Sequence, residues 1–349
     1  MKTKVRFPAL AVGLVLLVSF LLVSSFLPAT NIYAVAKPQG GDTALTGDTL
    51  EPESVETSDG VGVAGDAGKP VSDAGKSDGD ETVPPVITGN GVAVLTLHEV
   101  AWGHSESPYI VAPDALERMI VAAREAGYVF ISLEEFHAYM DGKAGAPDQA
   151  VLLTFDDGYR GVYENGHNIF VRHKCPAVMF PVTKWYSKHP RPEWARPHLT
   201  AEESKAMIGS GFWGFGGHSH DGHRTVVTGP NGQQGFFSTE RMWLGQGRIE
   251  SEGEYRARLW ADIELMTLEL SRLGVEPRDF TAPYGKINGA MDKLLADAGY
   301  DFVYIGGTER NYPGQRHIYR VDAGDTVQSF IEALDILWGK KSGQLTPAA

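Results

Sequence analysis

Residues 151–158 read Val-Leu-Leu-Thr-Phe-Asp-Asp-Gly, an apolar run that ends in two adjacent carboxylates and a glycine. The apolar part has the length and composition of a strand buried on both faces, as in a parallel sheet. Gly158 gives the backbone the freedom for a sharp turn after that strand. Asp156 and Asp157 then have two interpretations. Either they cap and begin a helix, or they form part of an active site at the carboxyl end of the strand.

Extended and helical runs alternate on both sides of this strand. Further strands are predicted at 92–98, 129–132, 177–182, 212–217, 280–282 and 302–305, and helices at 113–126, 133–140, 162–173, 201–210, 254–273, 289–298 and 326–338. This alternation predicts an α/β fold, a deformed parallel (β/α) barrel of about seven strands, with an open sheet as the alternative. The glycine-rich stretch 228–253 interrupts the pattern, and we interpret it as an insertion, a hairpin near a substrate groove.

The first quarter of the chain lacks the pattern of a globular domain. Basic residues at 2, 4 and 6 precede an apolar segment at 7–27, which is long enough to span a membrane and is predicted to remain as an anchor. A small-residue site at 34–36 supports the alternative, a cleaved signal peptide. The chain is therefore divided into a signal peptide or membrane anchor at 1–36, a disordered acidic and glycine-rich linker at 37–90, a folded domain at 91–340 and a tail at 341–349. Either N-terminal alternative implies export.

Charge and cysteine content narrow the function. The formal net charge is −13, which argues against a nucleic-acid partner because no basic surface is available to neutralise phosphates. A neutral or cationic polymer is a better match. Cys175 is the single cysteine, so an intramolecular disulfide is excluded, and its apolar neighbours predict a buried thiol.

A second polar cluster follows another predicted strand. Residues 215–223 read Phe-Gly-Gly-His-Ser-His-Asp-Gly-His, with three histidines within six residues. Such a cluster is either a solvated loop or a metal site, and Asp221 could support one of the imidazoles. Because the acid pair also ends a strand, the parallel fold brings the two clusters to the same edge. One carboxylate and two imidazoles leave an open position for water, which is the pattern of catalytic zinc.

A third cluster, Phe-Thr-Ala-Pro-Tyr-Gly at 280–285, also ends a predicted strand. Pro283 fixes the backbone before Tyr284, whose amide N–H could stabilise an oxyanion. A plain turn is the alternative interpretation.

These three clusters resemble, in chain order, the first three motifs of the polysaccharide deacetylases, carbohydrate esterase family 4, which share the NodB-homology domain. The resemblance covers roughly residues 92–338, and Thr-Phe-Asp-Asp-Gly at 154–158 is its most specific part. His218 and His223 are five residues apart, whereas most members have four. This spacing, and the absence of an arginine before Pro283-Tyr284, are similar to the branch of poly-β-1,6-N-acetylglucosamine deacetylases.

That branch also carries its Leu-x-x-His motif on the N-terminal strand, and Leu95-Thr96-Leu97-His98 resembles it. The resemblance implies that Asp157, His218 and His223 bind a divalent metal, with zinc favoured over cobalt, nickel, manganese or iron. It further implies that Asp156 is the general base, His98 the general acid and the Tyr284 amide an oxyanion donor. A structural strand-end histidine is the alternative for His98.

The function implied by the resemblance is metal-dependent removal of N-acetyl groups from an extracellular N-acetylglucosamine polymer by a monomeric, exported enzyme. Poly-β-1,6-N-acetylglucosamine is the favoured substrate. Alternatives are a peptidoglycan or chitin-oligomer deacetylase and a non-catalytic glycan-binding wall protein. A glycosidase is disfavoured, because its two carboxylates face each other across a bond, a separation that adjacent residues seldom provide. Tyr159 or Arg160, just past the turn, is the candidate partner to orient Asp156.

Overall fold

The computed structural model describes residues 89–103, 107–186 and 196–340. In chain order its elements are β1 (Val92–Leu97), β2 (Glu99–Val100), β3 (Ile110–Val111), α1 (Pro113–Glu125), β4 (Val129–Phe130), α2 (Leu133–Met140), β5 (Ala150–Asp157), α3 (His167–His173), β6 (Ala177–Pro181), α4 (Ala201–Gly209), β7 (Trp213–Phe215), β8 (Thr225–Val227), β9 (Gln234–Phe236), β10 (Trp243–Gly245), β11 (Arg248–Ile249), α5 (Glu252–Arg272), β12 (Asp279–Thr281), α6 (Gly289–Asp297), β13 (Phe302–Gly306), β14 (His317–Asp322) and α7 (Val327–Leu337). The predicted membrane segment, linker and C-terminal tail lie outside these ranges. Within them, no helix combines the length and apolar character needed to cross a bilayer.

Seven parallel strands form a nearly closed barrel in the order β12, β13, β14, β1, β5, β6, β7. The short β4 pairs with the start of β5 beside β6. The ring is completed at Gly217, directly after β7, whose N–H donates to the Asp279 carbonyl at 2.9 Å and whose carbonyl accepts from the Thr281 N–H at 2.8 Å. The predicted parallel barrel is confirmed in preference to the open sheet.

Alternation along the strands explains two of the three apolar cores, because successive side chains of a strand point to opposite faces. The inner core fills the barrel with alternate strand residues and with residues of α2, the helix that closes the end where the strands begin. This core includes Val92, Val94, Phe136, Tyr139, Leu152, Val178, Phe180, Phe302, Tyr304 and Ile318. The intervening strand residues, such as Leu95, Leu153 and Phe155, pack outward against α1, α3 and α7. The carboxyl ends of the strands are thereby left to polar groups.

A third core lies under α5, which packs Leu259, Ile263 and Met266 against β12 and α6. Its helical spacing is the clearest in the sequence, and the helix begins with a Ser251–Glu254 capping box. The predicted insertion at 228–253 forms parts of two small antiparallel hairpins, β8–β9 and β10–β11.

Strand β14 was absent from the sequence prediction. It lies between β13 and β1, so it belongs to the centre of the sheet. Its residues His-Ile-Tyr-Arg-Val-Asp contain no apolar run, because its inward-facing residues meet the apolar inner core at Ile318 and the polar cavity at Arg320 and Asp322. The cysteine prediction is confirmed, since Cys175 is fully buried.

Candidate active site

Asp156 and Asp157 both line a cavity of about 860 Å³ at the carboxyl end of the barrel. They are 4% and 7% exposed. The backbone of Asp157 already has a positive φ of 68°, and Gly158 follows with 77°. This turn, which begins one residue earlier than the glycine suggested, lets two adjacent side chains face the same space. Gly158 is also required by packing, since a Cβ there would lie 2.7 Å from the Cβ of Pro181.

Arg320 is the partner of Asp156. Its two terminal nitrogens donate to the two carboxylate oxygens at 2.8 and 2.6 Å, a bidentate pair. Both side chains are buried, at 7% and 5% exposure. Burial alone would raise the pKa of Asp156, but Arg320, together with His218 and His98, outweighs burial and the pKa is lowered. Asp156 is therefore held as a carboxylate at neutral pH.

The predicted orienting residues do not perform this task. Arg160 instead pairs with Glu203 at 2.7 Å and with Glu164 at 3.2 Å, and the Tyr159 ring stacks on His198. Arg320 could not be inferred from the motifs, because it is 164 residues away from Asp156 on the strand that the sequence prediction omitted. An arginine within an alternating polar and apolar segment was the one available signal.

Asp157, His218 and His223 form a compact group. The Nε2 atoms of the two imidazoles lie 3.5 and 3.4 Å from Oδ1 of Asp157, and all candidate ligand atoms lie within 4.8 Å of one another. His218 is almost fully buried, and its Nδ1 lies 3.0 Å from the Thr281 carbonyl oxygen. A proton on Nδ1 satisfies that carbonyl and leaves Nε2 available as a ligand.

This group fits a tetrahedral divalent metal. Ligand atoms that bind one metal at about 2.1 Å are separated by roughly 3.4 Å in a tetrahedron, which matches the two distances. Oδ1 of Asp157 is buried and has no hydrogen-bond partner among the described residues, as expected of an atom whose partner is a cation. Burial opposes ionisation of Asp157, but the two nearby histidines outweigh burial and keep its pKa low.

His98 follows β1 and lines the same cavity. Its ring meets Tyr109 edge-on, with 4.9 Å between ring centroids. Its Nδ1 is buried without a hydrogen-bond partner in the part of the chain that the structure describes. His98 is thus brought to the acid pair and the metal-binding group, while its role as an acid stays a prediction.

Tyr284 also lines the cavity, in a short helical turn that has a positive φ of 59° at this residue. Its ring packs against His223 at 4.6 Å and stacks on Phe236 of β9 at 4.5 Å. The β8–β9 hairpin therefore contacts the site, as the sequence suggested for the insertion. The oxyanion role of the Tyr284 amide stays a prediction.

The other polar residues of the histidine cluster have different partners. The Nδ1 of His220 lies 3.0 Å from the Thr183 hydroxyl. Asp221 pairs with Lys184 at 2.8 Å and supports neither proposed metal histidine. The cluster thus supplies two ligand candidates rather than three.

A carboxylate and two imidazoles at the carboxyl ends of parallel barrel strands define a mononuclear metal-hydrolase type of site. Residues 143–303 match the family model described as polysaccharide deacetylase. His98 and Arg320 lie outside the matched range, and the acid pair and both metal-ligand candidates lie inside it.

Sequence relatives with a common name support the same family. A poly-beta-1,6-N-acetyl-D-glucosamine N-deacetylase of Escherichia coli strain K12 is 27% identical over 232 residues, which is 62% of this chain and 34% of that protein. The protein of the same name from Staphylococcus aureus strain MRSA252 is 30% identical over 115 residues, 33% of this chain and 39% of that protein. This chain therefore matches less than half the length of either relative.

Solved structures share the fold. A de-N-acetylase from Aggregatibacter actinomycetemcomitans has a TM-score of 0.64 at 23% identity, covering 70% of this chain and all of that one. The deacetylase domain of BpsB from Bordetella bronchiseptica has a TM-score of 0.58 at 25% identity, covering 66% of this chain and 94% of that one.

Proposed function

We propose that this domain hydrolyses N-acetyl groups of an N-acetylglucosamine polymer, with poly-β-1,6-N-acetylglucosamine as the favoured substrate. The observation that carries the proposal is one cavity that joins the Asp156–Arg320 pair, the three metal-ligand candidates and His98. The names of the sequence relatives support the substrate class.

The side chains divide the steps of amide hydrolysis between them. Asp156 takes a proton from water as the water oxygen bonds to the acetyl carbon. Protonated His98 gives its proton to the amide nitrogen as the carbon–nitrogen bond breaks, so the products are acetate and a free amine. The Tyr284 amide donates to the developing oxyanion.

Arg320 fixes the orientation of Asp156 and keeps it ionised. The second oxygen of that carboxylate, Oδ2, lies 3.9 Å from Nε2 of His218, so the base faces the metal-ligand group. A divalent metal held by Asp157, His218 and His223 would supply a Lewis acid that activates water and polarises the acetyl carbonyl. Zinc is the favoured ion, with cobalt, nickel, manganese and iron as alternatives.

The cavity is large enough to enclose an acetylated sugar unit. Its volume of about 860 Å³ is near the upper end of the 300–1,000 Å³ range of pockets that enclose whole ligands. Aromatic residues in its wall, Tyr109, Tyr159 and Tyr284, offer apolar faces of the kind on which sugar rings pack.

The decisive measurement is release of free amine from poly-β-1,6-N-acetylglucosamine oligomers, with and without a chelator. Chitin oligomers and peptidoglycan are assayed in parallel. We expect chelator-sensitive release that is fastest on the β-1,6 polymer. Chelator-insensitive release contradicts the metal role, and faster release from another polymer assigns that substrate instead. Binding of glycans without release from any polymer supports the non-catalytic alternative.

Two substitutions separate the base from the metal group. Asp156→Asn should abolish turnover and leave metal binding largely intact, whereas His218→Ala should remove both, as measured by amine release and by bound metal after dialysis. Asp292→Asn serves as the control, because Asp292 bonds to Arg316 and His317 away from the cavity. Turnover retained by either active-site variant would contradict the assigned roles.

Export is part of this proposal. The apolar segment at 7–27 that supports it lies outside the described residues, so fractionation of cells that express the whole chain provides the test. Recovery of the protein only in the cytoplasm contradicts export.

A further inference from the structure

Residues 219–222, here called the histidine loop, join the two proposed histidine ligands and lie on α5. Three consecutive backbone N–H groups of this loop point to one turn of that helix. The N–H of Ser219 contacts Sδ of Met266 at 3.1 Å. The N–H of His220 donates to Oδ2 of Asp262 at 2.9 Å, and that of Asp221 donates to Oδ1 at 2.7 Å.

The opposite side of the histidine loop is held as well. The Thr183 N–H donates to the Ser219 carbonyl at 3.1 Å, and the Lys184 N–H donates to the His220 carbonyl at 3.0 Å. The loop therefore has its donors bonded to α5 and its acceptors bonded to the turn after β6. The positive φ of Ser219, 71°, directs the two following amides toward the helix. Successive amides in such a turn form a concave site for an anion, which the Asp262 carboxylate occupies.

Asp262 is an unusual residue for this position on a helix. It is 5% exposed and belongs to the buried face of α5, where an apolar side chain would stabilise the core. Burial raises its pKa to about 6, and its two amide partners only partly oppose that effect. Burying an acid here costs free energy, and we explain its presence by the two hydrogen bonds with which it fixes the backbone of the histidine loop.

We propose that Asp262 is a positioning residue for the metal centre, which it serves by fixing the histidine loop so that His218 and His223 reach the same side of Asp157. The inference rests on the metal site of the proposed function. Met266, one turn later on α5, assists: its sulfur accepts from the Ser219 N–H of the loop, and a Cβ on Gly217, just before His218, would overlap the same sulfur.

The test is the zinc affinity of Asp262→Asn, measured by competition with a chromogenic chelator. The amide can accept one of the two N–H bonds and opposes the other with its own donor, so the loop loses one anchor. We expect zinc to bind about 10–100-fold more weakly, the range for residues that support metal ligands. Glu250→Gln is the matched control, because Glu250 is 4% exposed and bonds to the Met242 N–H and to Arg258, away from the metal group. Urea unfolding of the metal-free proteins compares their stabilities.

The outcomes are distinguishable. Failure of the unsubstituted protein to bind zinc overturns the proposed metal site. Wild-type affinity in Asp262→Asn, or an equal loss in Glu250→Gln, overturns the positioning role alone. If Asp262→Asn does not fold, Met266→Leu removes the sulfur acceptor at nearly constant volume. A several-fold loss of zinc affinity then supports loop fixation by α5, and unchanged affinity overturns it.

Discussion

The orientation of Asp156 in the site depends on Arg320, a residue distant in the sequence. With Arg320 removed, a buried carboxylate would remain without its cation, a change that costs about 3–5 kcal/mol in comparable pairs. We expect Arg320→Ala to lower the free energy of unfolding by that order and to reduce kcat by about 10²-fold or more, because the general base is no longer oriented. Amine release and urea unfolding measure the two effects.

Arg316→Ala is the control for Arg320→Ala. Arg316 lies just before β14 and pairs with Asp292 at 3.0 Å, outside the cavity. The Arg316→Ala variant should be less stable than the unsubstituted protein, but its kcat should fall far less than that of Arg320→Ala. A normal kcat in Arg320→Ala would show that Asp156 does not need this partner.

Glu99 introduces a pH dependence of stability. It is 3% exposed beside the cavity, and burial, only partly opposed by the Val100 N–H and by Arg196, raises its pKa from 4.5 to about 7. The folded protein therefore holds a proton that the unfolded chain releases near pH 4.5. The stability contributed by Glu99 is fully present below that pH and is lost as the pH rises through 7.

Glu99→Gln should remove this dependence. Since one pKa unit corresponds to about 1.4 kcal/mol, the variant should gain roughly 3 kcal/mol relative to the unsubstituted protein between pH 4.5 and pH 8. Urea unfolding with chelator present, at both pH values, measures the difference. Glu164→Gln, which changes a half-exposed acid nearby, should alter the pH dependence little. If the stability difference between Glu99→Gln and the unsubstituted protein were the same at both pH values, the raised pKa would be contradicted.

At the scale of elements, the β8–β9 hairpin completes one wall of the site through a single stacked pair. Phe236→Ala removes the ring on which Tyr284 stacks, an interaction of about 0.5–1.5 kcal/mol. We expect kcat/KM for an oligomeric substrate to fall about 2–10-fold. Leu244→Ala is the control, because Leu244 is an exposed residue of β10 in the other small hairpin. Equal effects of the two changes would contradict a specific role for the stacked pair.

The same scale shows where sequence reasoning succeeds and where it fails. Strand β5 and helix α5 were predictable because their apolar periodicity reflects local packing on known faces. Strand β14 was not, because its inward residues, Ile318 and Arg320, meet different layers of the barrel, one apolar and one charged. The ligand candidates were found through local motifs, whereas the Asp156 partner depends on which strands are neighbours.

At the scale of the whole molecule, the two ends of the described chain meet at the site. Strand β14 pairs with β1, with Thr96 opposite Asp322, and Arg320 and His98 line the same cavity although they come from opposite ends of the described chain. The range matched by the family model, 143–303, contains neither residue. A fragment limited to that range would hold the metal-ligand candidates and lack the proposed acid and the partner of the base.

The join between β7 and β12 should respond to metal. Two hydrogen bonds at Gly217 complete the ring, and His218 follows immediately with its own contact to the Thr281 carbonyl. We expect zinc to slow hydrogen exchange at the Thr281 amide at least 10-fold, since a ligand that binds only the closed form stabilises it. The Val178 amide, in the middle of the sheet, provides the comparison. Equal effects at both amides would indicate global stabilisation instead.

That join couples the metal-ligand group to closure of the barrel. The acceptor that sets the tautomer of His218 is the Thr281 carbonyl of β12, across the join from β7 and His218. Metal binding and closure of the ring should therefore favour each other. The reverse also holds: by reciprocity, whatever loosens this join lowers metal affinity by the same factor by which metal tightens it.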